Sequence, residues 1–447
     1  MRAGAATSKI TPPLGVSMCG YFNDRRAQAI HDDLHARCLV LEDGRVRLAI
    51  VVCDSCMIPR AVTDEAKAHI VRQTGIPAGN VLIAATHTHS APTCAGVFQS
   101  EPDAAYQAFL ARQIADGVQR AVRQLAPVRL GWGTGRVPDQ VFNRRWRMKP
   151  GSIPPNPFGG TNDLVQMNPP VGSPDLIGPA GPTDPEVCVL SVQTAAGQPL
   201  AVLANYSLHY VGTSRSSDIS ADYFGAFCDR LGQLLDAQGQ DPPFVALLSN
   251  GTSGDVNNIN FRQPAPARQP YEQIQRVADV VATEAARVCR MVQHRETVTL
   301  GVAQSELRLG VRRPDAAEVE RAKGILSKAA GRSLSTPEEV FARETVLMQD
   351  YPPEVALLVQ ALRVGEVGIV AIPCEVFVEI GLELKARSPL KPMFTISLAN
   401  GYNGYLPTPA QHRLGGYETW RARSSYLETE ASPKIVTAAL DLLARLR

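Results

Sequence analysis

Val81-Leu82-Ile83-Ala84-Ala85-Thr86-His87-Thr88-His89-Ser90-Ala91-Pro92 is the stretch that decides how this chain is read. It opens as an apolar run of strand length, Val81–Thr86, and closes on two imidazoles. A strand with no polar face is one covered on both sides. Residues two apart on a strand point the same way, so His87 and His89 are expected to share one side. In α/β sheets, sites open beyond the carboxyl ends of buried strands. The pair taken alone fits either a metal site or two hydrogen-bonded structural histidines.

Working outward, apolar runs of the same kind recur at Val46–Cys53, Val187–Val192, Ala201–Tyr206, Phe244–Leu248, Leu357–Val364, Val367–Ile372 and Phe394–Leu398. Between them, Ala104–Gln124, Tyr223–Ala237, Tyr271–Val292 and Lys434–Leu446 carry apolar residues at three- and four-residue steps, the period of a helix with one buried face. Alternation of the two patterns predicts an α/β protein with a large mixed central sheet flanked by helices. No internal repeat and no dividing linker is visible, so residues 1–447 are expected to form a single domain. One segment interrupts the pattern: residues 150–185 hold ten prolines and six glycines, too many for regular structure. It reads either as a surface excursion or as a stiff loop lying over a site.

Composition removes several classes of function. A net charge of +2 gives no long-range field for nucleic acid or an acidic membrane. Arg144-Arg145-Trp146-Arg147 is the one compact basic cluster. No apolar run reaches the length of a membrane span, and none follows the first residues as a secretory leader requires. The nine cysteines show no framework spacing; Cys53, Cys188 and Cys374 sit in apolar strands and read as buried free thiols. Cys53-Asp54-Ser55-Cys56 has redox spacing without a thioredoxin-like context. The expected location is a reducing cytoplasm.

Three more strands end in chemistry. Ala201–Tyr206 leads to His209, Val367–Ile372 to Glu375, and Phe394–Leu398 to Asn400-Gly401-Tyr402-Asn403-Gly404-Tyr405. Imidazole and carboxylate together suit zinc, and a site that keeps a position open for water is the catalytic kind.

Thr86-His87-Thr88-His89-Ser90-Ala91-Pro92, Asn205-Tyr206-Ser207-Leu208-His209, Ile372-Pro373-Cys374-Glu375 and Asn400–Thr408 resemble, in type and order, the motifs of the neutral, non-lysosomal ceramidases. The likeness begins at Ala3-Gly4 and Ile10-Thr11-Pro12-Pro13 and continues through Met18–Tyr21, Ile30-His31, Val52-Cys53-Asp54 and Phe142-Asn143-Arg144. It ends near Tyr417. The resemblance implies a zinc ion held by His87, His209, Glu375 and Tyr405. His89 and Arg144 would face the substrate's polar head or a developing oxyanion, and Tyr417 would hydrogen-bond reacting groups. The implied activity is hydrolysis of an amide in an N-acyl amine by a zinc-activated water. Readings kept beside it are a zinc hydrolase of a small ester, lactone or carbohydrate derivative, and a non-catalytic ligand-binding relative. In each, the partner is a small molecule, with no nucleic acid and no stable membrane insertion.

The chain departs from that family in places. Ceramidases carry a Gly-x-x-Ser-Pro-Asn element with an active-site serine; here Gly254 is followed by Asp255, Val256 and Asn257. An amide binds a carbonyl or hydroxyl but is no alkoxide nucleophile, so Asn257 is expected to position substrate or water. Ser253 or Thr252 remains as a displaced nucleophile. Ceramidases also continue into a β-sandwich beyond the tyrosine motifs, whereas this sequence runs to Arg447 after one more helical pattern. Asp32 and Asp33, between His31 and His35, read as a solvated acidic turn or a second metal site. Asp54 is expected to orient a histidine, and Asp222 to open a helix by capping it or by stabilising its dipole.

Overall fold

Neighbouring residues along the strands go to different cores. In Arg47–Cys53, Leu48, Ile50 and Val52 enter one apolar cluster while Ala49, Val51 and Cys53 enter another. That is the two-residue period of a strand covered on both faces. The computed structural model, which describes residues 1–329 and 332–447, builds its whole architecture on this partition.

One mixed sheet has eight strands. Its first half runs Arg2–Lys9, His35–Glu42, Arg47–Cys53, Val81–Ala85, and its second Ala126–Arg136, Glu186–Thr194, Pro199–Tyr206, Val245–Asn250. The halves meet only where Arg2 and Ala3 pair with Pro127 and Ala126. A separate four-stranded sheet holds Leu300–Gly310, Glu354–Val364, Val367–Ile372 and Met393–Ser397. All three sets repeat one arrangement: strands one to three are successively antiparallel, and the fourth lies parallel to the third. Each set has a helix between its third and fourth strands (Arg60–Thr74, Asp222–Leu234, Val378–Arg387) and another after the fourth (Ala104–Arg123, Glu272–Met291, Ala431–Arg445). No repeat is visible in the sequence, yet the structure contains three copies of this arrangement.

The inner faces of all three sets share one core, to which Ile50, Leu203 and Ile369 belong. Each outer face packs under its own helices. The three fourth strands touch one another. Because third and fourth strands are parallel in every set, their carboxyl ends open together, and there the loops converge. Between first and second strands each repeat carries an excursion, at residues 10–34, 137–185 and 311–353.

The expected mixed sheet and flanking helices are present, with the inner face of the sheet covered by a second sheet. The Pro/Gly-rich segment departs from expectation. Within residues 150–185, Val165–Met167 and Leu176–Pro179 form strands on either side of Arg145–Met148. A non-proline partner strand outside the segment supplies the hydrogen bonds that its composition withholds. Among the described residues no helix is long and apolar enough to cross a membrane.

Candidate metal centre and active site

The strand from Val81 stops at Ala85, and His87 has a φ of 77°, so the alternation expected of a strand does not operate there. A bulky residue in this region is strained, and such strain persists where surrounding structure enforces it. Here the His87 backbone N–H donates to the Ser55 carbonyl, and the ring Nδ1 donates to the Cys56 carbonyl at 2.7 Å. His209, after the strand Pro199–Tyr206, is held the same way: its Nδ1 donates to the Ser253 carbonyl at 3.0 Å. A carbonyl only accepts, so both rings carry their proton on Nδ1 and turn a bare Nε2 inward.

Those two Nε2 atoms stand 3.0 Å apart. Glu375 Oε2 is 3.2 Å from His87 Nε2 and 3.9 Å from His209 Nε2. All three side chains are buried, and this carboxylate oxygen has no hydrogen-bond donor. Three acceptors therefore face one point with no proton among them, an arrangement that burial makes costly unless a cation sits between them. Ligand atoms about 2.0–2.2 Å from a tetrahedral zinc lie roughly 3.3 Å from one another, and the observed separations bracket that value. Burial first, then the charge of Arg144, holds the His209 imidazole well below its ordinary pKa, which keeps the ring neutral and able to ligate.

Glu375 and Tyr405 are register partners in a short parallel pair of strands, so the third repeat delivers carboxylate and phenol side by side. Gly404, at φ 75°, allows this: a Cβ there would stand 2.5 Å from the Ser424 carbonyl oxygen. Tyr402 donates its hydroxyl to Glu375 Oε1 at 3.2 Å and leaves Oε2 for the centre. Burial, followed by the Glu375 charge, pushes the Tyr405 phenol well above its ordinary pKa. Arg144 Nη2 donates to that phenol at 3.1 Å, and Nη1 lies 3.4 Å from His209 Nε2. Its Nε donates to Glu418 at 2.9 Å, while the other oxygen of Glu418 takes Arg145 at 2.6 Å. Glu418 and Arg145 are fully buried, so the clamp that aims Arg144 is rigid.

His89 stands beside this group, Nε2 3.2 Å from that of His87, its ring stacked on Tyr210 at 3.7 Å. Tyr417 packs edge-on against Tyr405 with ring centres 5.8 Å apart. Asn257 lines a polar cleft of about 530 Å³ together with His209 and Arg144. Its amide donates to Asn168 Oδ1 at 2.7 Å, and its oxygen accepts from Ile259 N. An apolar cavity of about 560 Å³ begins at Tyr417 and is walled by all three excursions, through Phe22, Ile153, Met167 and Pro337. Thus His87, His209, Glu375, Tyr405, His89, Arg144 and Tyr417 are gathered around one centre, and Asn257 faces the cleft leading from it.

Other residues singled out in the sequence take the following places. Asp54 orients no histidine ring; it binds Arg37 at 2.5 Å and the His35 backbone N–H at 2.8 Å, because a buried guanidinium claims the nearest carboxylate. Asp32 is occupied by Ser220 and the Ala221 N–H, and Asp33 by Lys9, so the acidic turn forms no second metal cluster among the described residues. Asp222 is the first residue of its helix rather than the cap, which is Ala221; its carboxylate accepts from the backbone N–H groups of Tyr223, Val211 and Gly212, fixing the turn after His209. Ser253 donates its hydroxyl to Asn250 and Thr252 lies against Gly381, so both displaced-nucleophile candidates have structural roles. Tyr402, Glu418, Asn168 and Asp255 escaped the sequence reading. Asp255 accepts from Asn143 and Val378, its backbone carbonyl holds the Arg144 N–H, and burial pushes its carboxyl up to about 7.

Fold and site define an α/β protein with a buried two-histidine, one-carboxylate centre at the converging ends of three repeated sheets. The chain belongs to the neutral/alkaline non-lysosomal ceramidase family, whose N-terminal sequence model matches residues 1–265. That span includes His87, His89, Arg144, His209 and Asn257; Glu375, Tyr405 and Tyr417 lie beyond it. The neutral ceramidase of Pseudomonas aeruginosa is 22% identical over 90% of this chain and 66% of its own length. Neutral ceramidase B of Dictyostelium discoideum is 25% identical over 56% of this chain and 34% of its own. The chain therefore spans less than two thirds of these relatives. A crystal structure of the Pseudomonas aeruginosa enzyme superposes with a TM-score of 0.73 at 20% identity, covering 100% of this chain and 74% of that one. A ceramidase structure described as complexed with C2 gives the same score, covering 75% of that chain. These likenesses establish the fold.

Proposed function

We propose that this protein is a zinc-dependent hydrolase of the amide bond in an N-acyl amine. The observation that carries it is the set of three proton-free acceptors, His87 Nε2, His209 Nε2 and Glu375 Oε2, beside a buried guanidinium. His87, His209, Glu375 and Tyr405 would hold the ion. Zinc, when bound, supplies a Lewis acid and makes water acidic enough to attack at neutral pH, lowering its pKa from 15.7 to about 7. The protein's residues do the rest. Arg144 is aimed by Glu418 so that one Nη–H points at the ligand atoms, the place to meet negative charge developing on a carbonyl oxygen. Tyr417, packed edge-on against Tyr405, would border the scissile group on the side of the apolar cavity, and His89, held flat against Tyr210, would face the substrate's polar head or the developing oxyanion. Family membership supports amide hydrolysis, and the apolar cavity at Tyr417 offers room for an acyl chain.

A second reading is a small polar ester, lactone or carbohydrate derivative, favoured by the carboxamides of Gln140, Asn168, Asn257 and Asn258 in the cleft. The nine buried free thiols fit a reducing compartment, and we assign the enzyme to the cytoplasm as part of this proposal. The test is to load the purified chain with zinc, measure metal stoichiometry, and assay N-acyl amines of graded chain length beside small esters and lactones. About one zinc per chain and turnover rising with acyl length are expected. Turnover confined to short esters or lactones would overturn the amide reading.

A further inference from the structure

The cleft that opens from His209 and Arg144 is unlike the apolar cavity at Tyr417 in every respect but volume. It is lined by carboxamides, and by Arg268 and Arg276, neither of which makes an ion pair or a side-chain hydrogen bond among the described residues. Asp139 is the one acid on the lining. Arg144 at the floor is paired with Glu418 and turned toward Tyr405 and the ligand atoms, so the two outer guanidiniums hold the cleft's unpaired positive charge. Guanidinium presents paired donors that match a carboxylate, and carboxamides supply the remaining donors and acceptors for a polar body.

The wall is also built. Asn257 is tied to Asn168, Asn258 donates to the backbone and side chain of Gln140, and Gln273 bonds Asn258. These contacts knit the Pro/Gly-rich segment and the turn before it to the loop that follows Ser253, fixing the amides in place. A preformed polar wall of this kind orients its ligand with little ordering cost.

We propose that this cleft is a subsite for the amine half of the substrate and that this half carries a carboxylate, so that the preferred substrate is an N-acyl amino acid. The assignment rests on the amide-hydrolase reading. It places the acyl chain in the cavity at Tyr417, the scissile amide at the ligand atoms, and the amino-acid carboxylate between Arg268 and Arg276. Hydrolysis then breaks the C–N bond with one water, giving a fatty acid and a free amino acid.

Two measurements test it. The first compares kcat/KM for N-acylglutamine with that for the amide of the same acyl chain with a neutral amino alcohol. In the wild type the carboxylate substrate is preferred by about tenfold or more, the scale of a hydrogen bond to a charged group. In the double variant R268Q/R276Q that ratio falls to near unity; a merely structural defect would lower both rates and leave the ratio alone. The second is calorimetric titration with N-acetylglutamine, which needs no turnover: binding should weaken about tenfold or more in the double variant and with rising salt. Equal rates for the two amides, together with binding that ignores both arginines, would sink the subsite while leaving amide hydrolysis standing. If neither amide is cleaved yet binding follows the arginines, the hydrolase reading fails and the carboxylate subsite remains.

Discussion

In the first repeat the proposed ligand His87 follows the fourth strand, and the loop after the third strand orients it through the Cys56 carbonyl. In the second repeat His209 follows the third strand, and the loop after the fourth orients it through the Ser253 carbonyl. The assignments are exchanged, yet the outcome is one imidazole with its Nδ1 proton committed and its Nε2 free. In the third repeat Glu375 follows the third strand and Tyr402, after the fourth, fixes it. The parallel pair of strands is what all three share: two loops leave it side by side, and either can reach the centre while its neighbour holds it. Ligand position is thus a property of the pair, and ligand and orienting group should differ sharply when each is removed.

The largest effect is expected from the ligands. His209→Ala removes one of the acceptors that face the centre, leaving Glu375 and His87 with no complete set. Zinc content and activity should both fall to background, read by elemental analysis and by assay on the best amide substrate. Full zinc and full activity in this variant would show that the centre is misassigned. Arg144→Lys comes next. Lysine keeps the charge but cannot address Glu418, Tyr405 and the centre from one planar group. The kcat should fall about 10²–10³-fold, the usual cost of removing an oriented donor to a developing oxyanion, with zinc retained.

Much of this was legible in the sequence, for a physical reason. Strands buried on both faces leave apolar runs, and those at Val81–Thr86, Ala201–Tyr206 and Val367–Ile372 were visible together with the polar residues that end them. The repeat was invisible. Its first strands, Arg2–Lys9, Ala126–Arg136 and Leu300–Gly310, are rich in small and charged residues and partly exposed, so they lack the apolar signal. The excursions that follow them differ in length and composition, which erases any fixed period. Glu418 could be suspected only as the neighbour of Tyr417, because a carboxylate between two arginines distant in sequence leaves no local mark. Asn168 was hidden inside a segment whose composition argued against order, and only the Arg145–Met148 strand beside it explains why it is ordered.

Tyr402→Phe sharpens the comparison from the other side, since Tyr402 is the orienting group of the third repeat and the one supplied by a side chain rather than a backbone carbonyl. Loss of its bond frees Glu375 Oε1 without removing a ligand. Zinc affinity should fall about 10–100-fold, as is typical for partners that orient metal ligands, and saturating zinc should restore most of the rate. Competition with a chromogenic chelator measures the first and an assay with added zinc the second. An unchanged affinity would mean that the register with Tyr405 alone fixes Glu375.

Asn257 should give the smallest change, and its position says why. It lies further along the loop whose Ser253 carbonyl orients His209, but its own side chain sits on the cleft wall, the amide donating to Asn168 and the oxygen accepting from Ile259. Asn257→Ala therefore loosens the tie between the wall and the Pro/Gly-rich segment. A neutral hydrogen bond contributes a net of about 0.5–1.5 kcal/mol, so kcat/KM should drop by about tenfold at most, mainly through KM, with zinc unchanged. Asn257→Ser should gain no new reactivity, because a hydroxyl there would face Asn168 rather than a base that could activate it. A different result would redraw the centre: if Asn257→Ala keeps its zinc but loses all turnover, the residue handles the reacting atoms. An acyl-enzyme trapped on Ser253 or Thr252 by mass spectrometry would instead require those side chains to leave Asn250 and Gly381, and the direct attack of water would then be wrong.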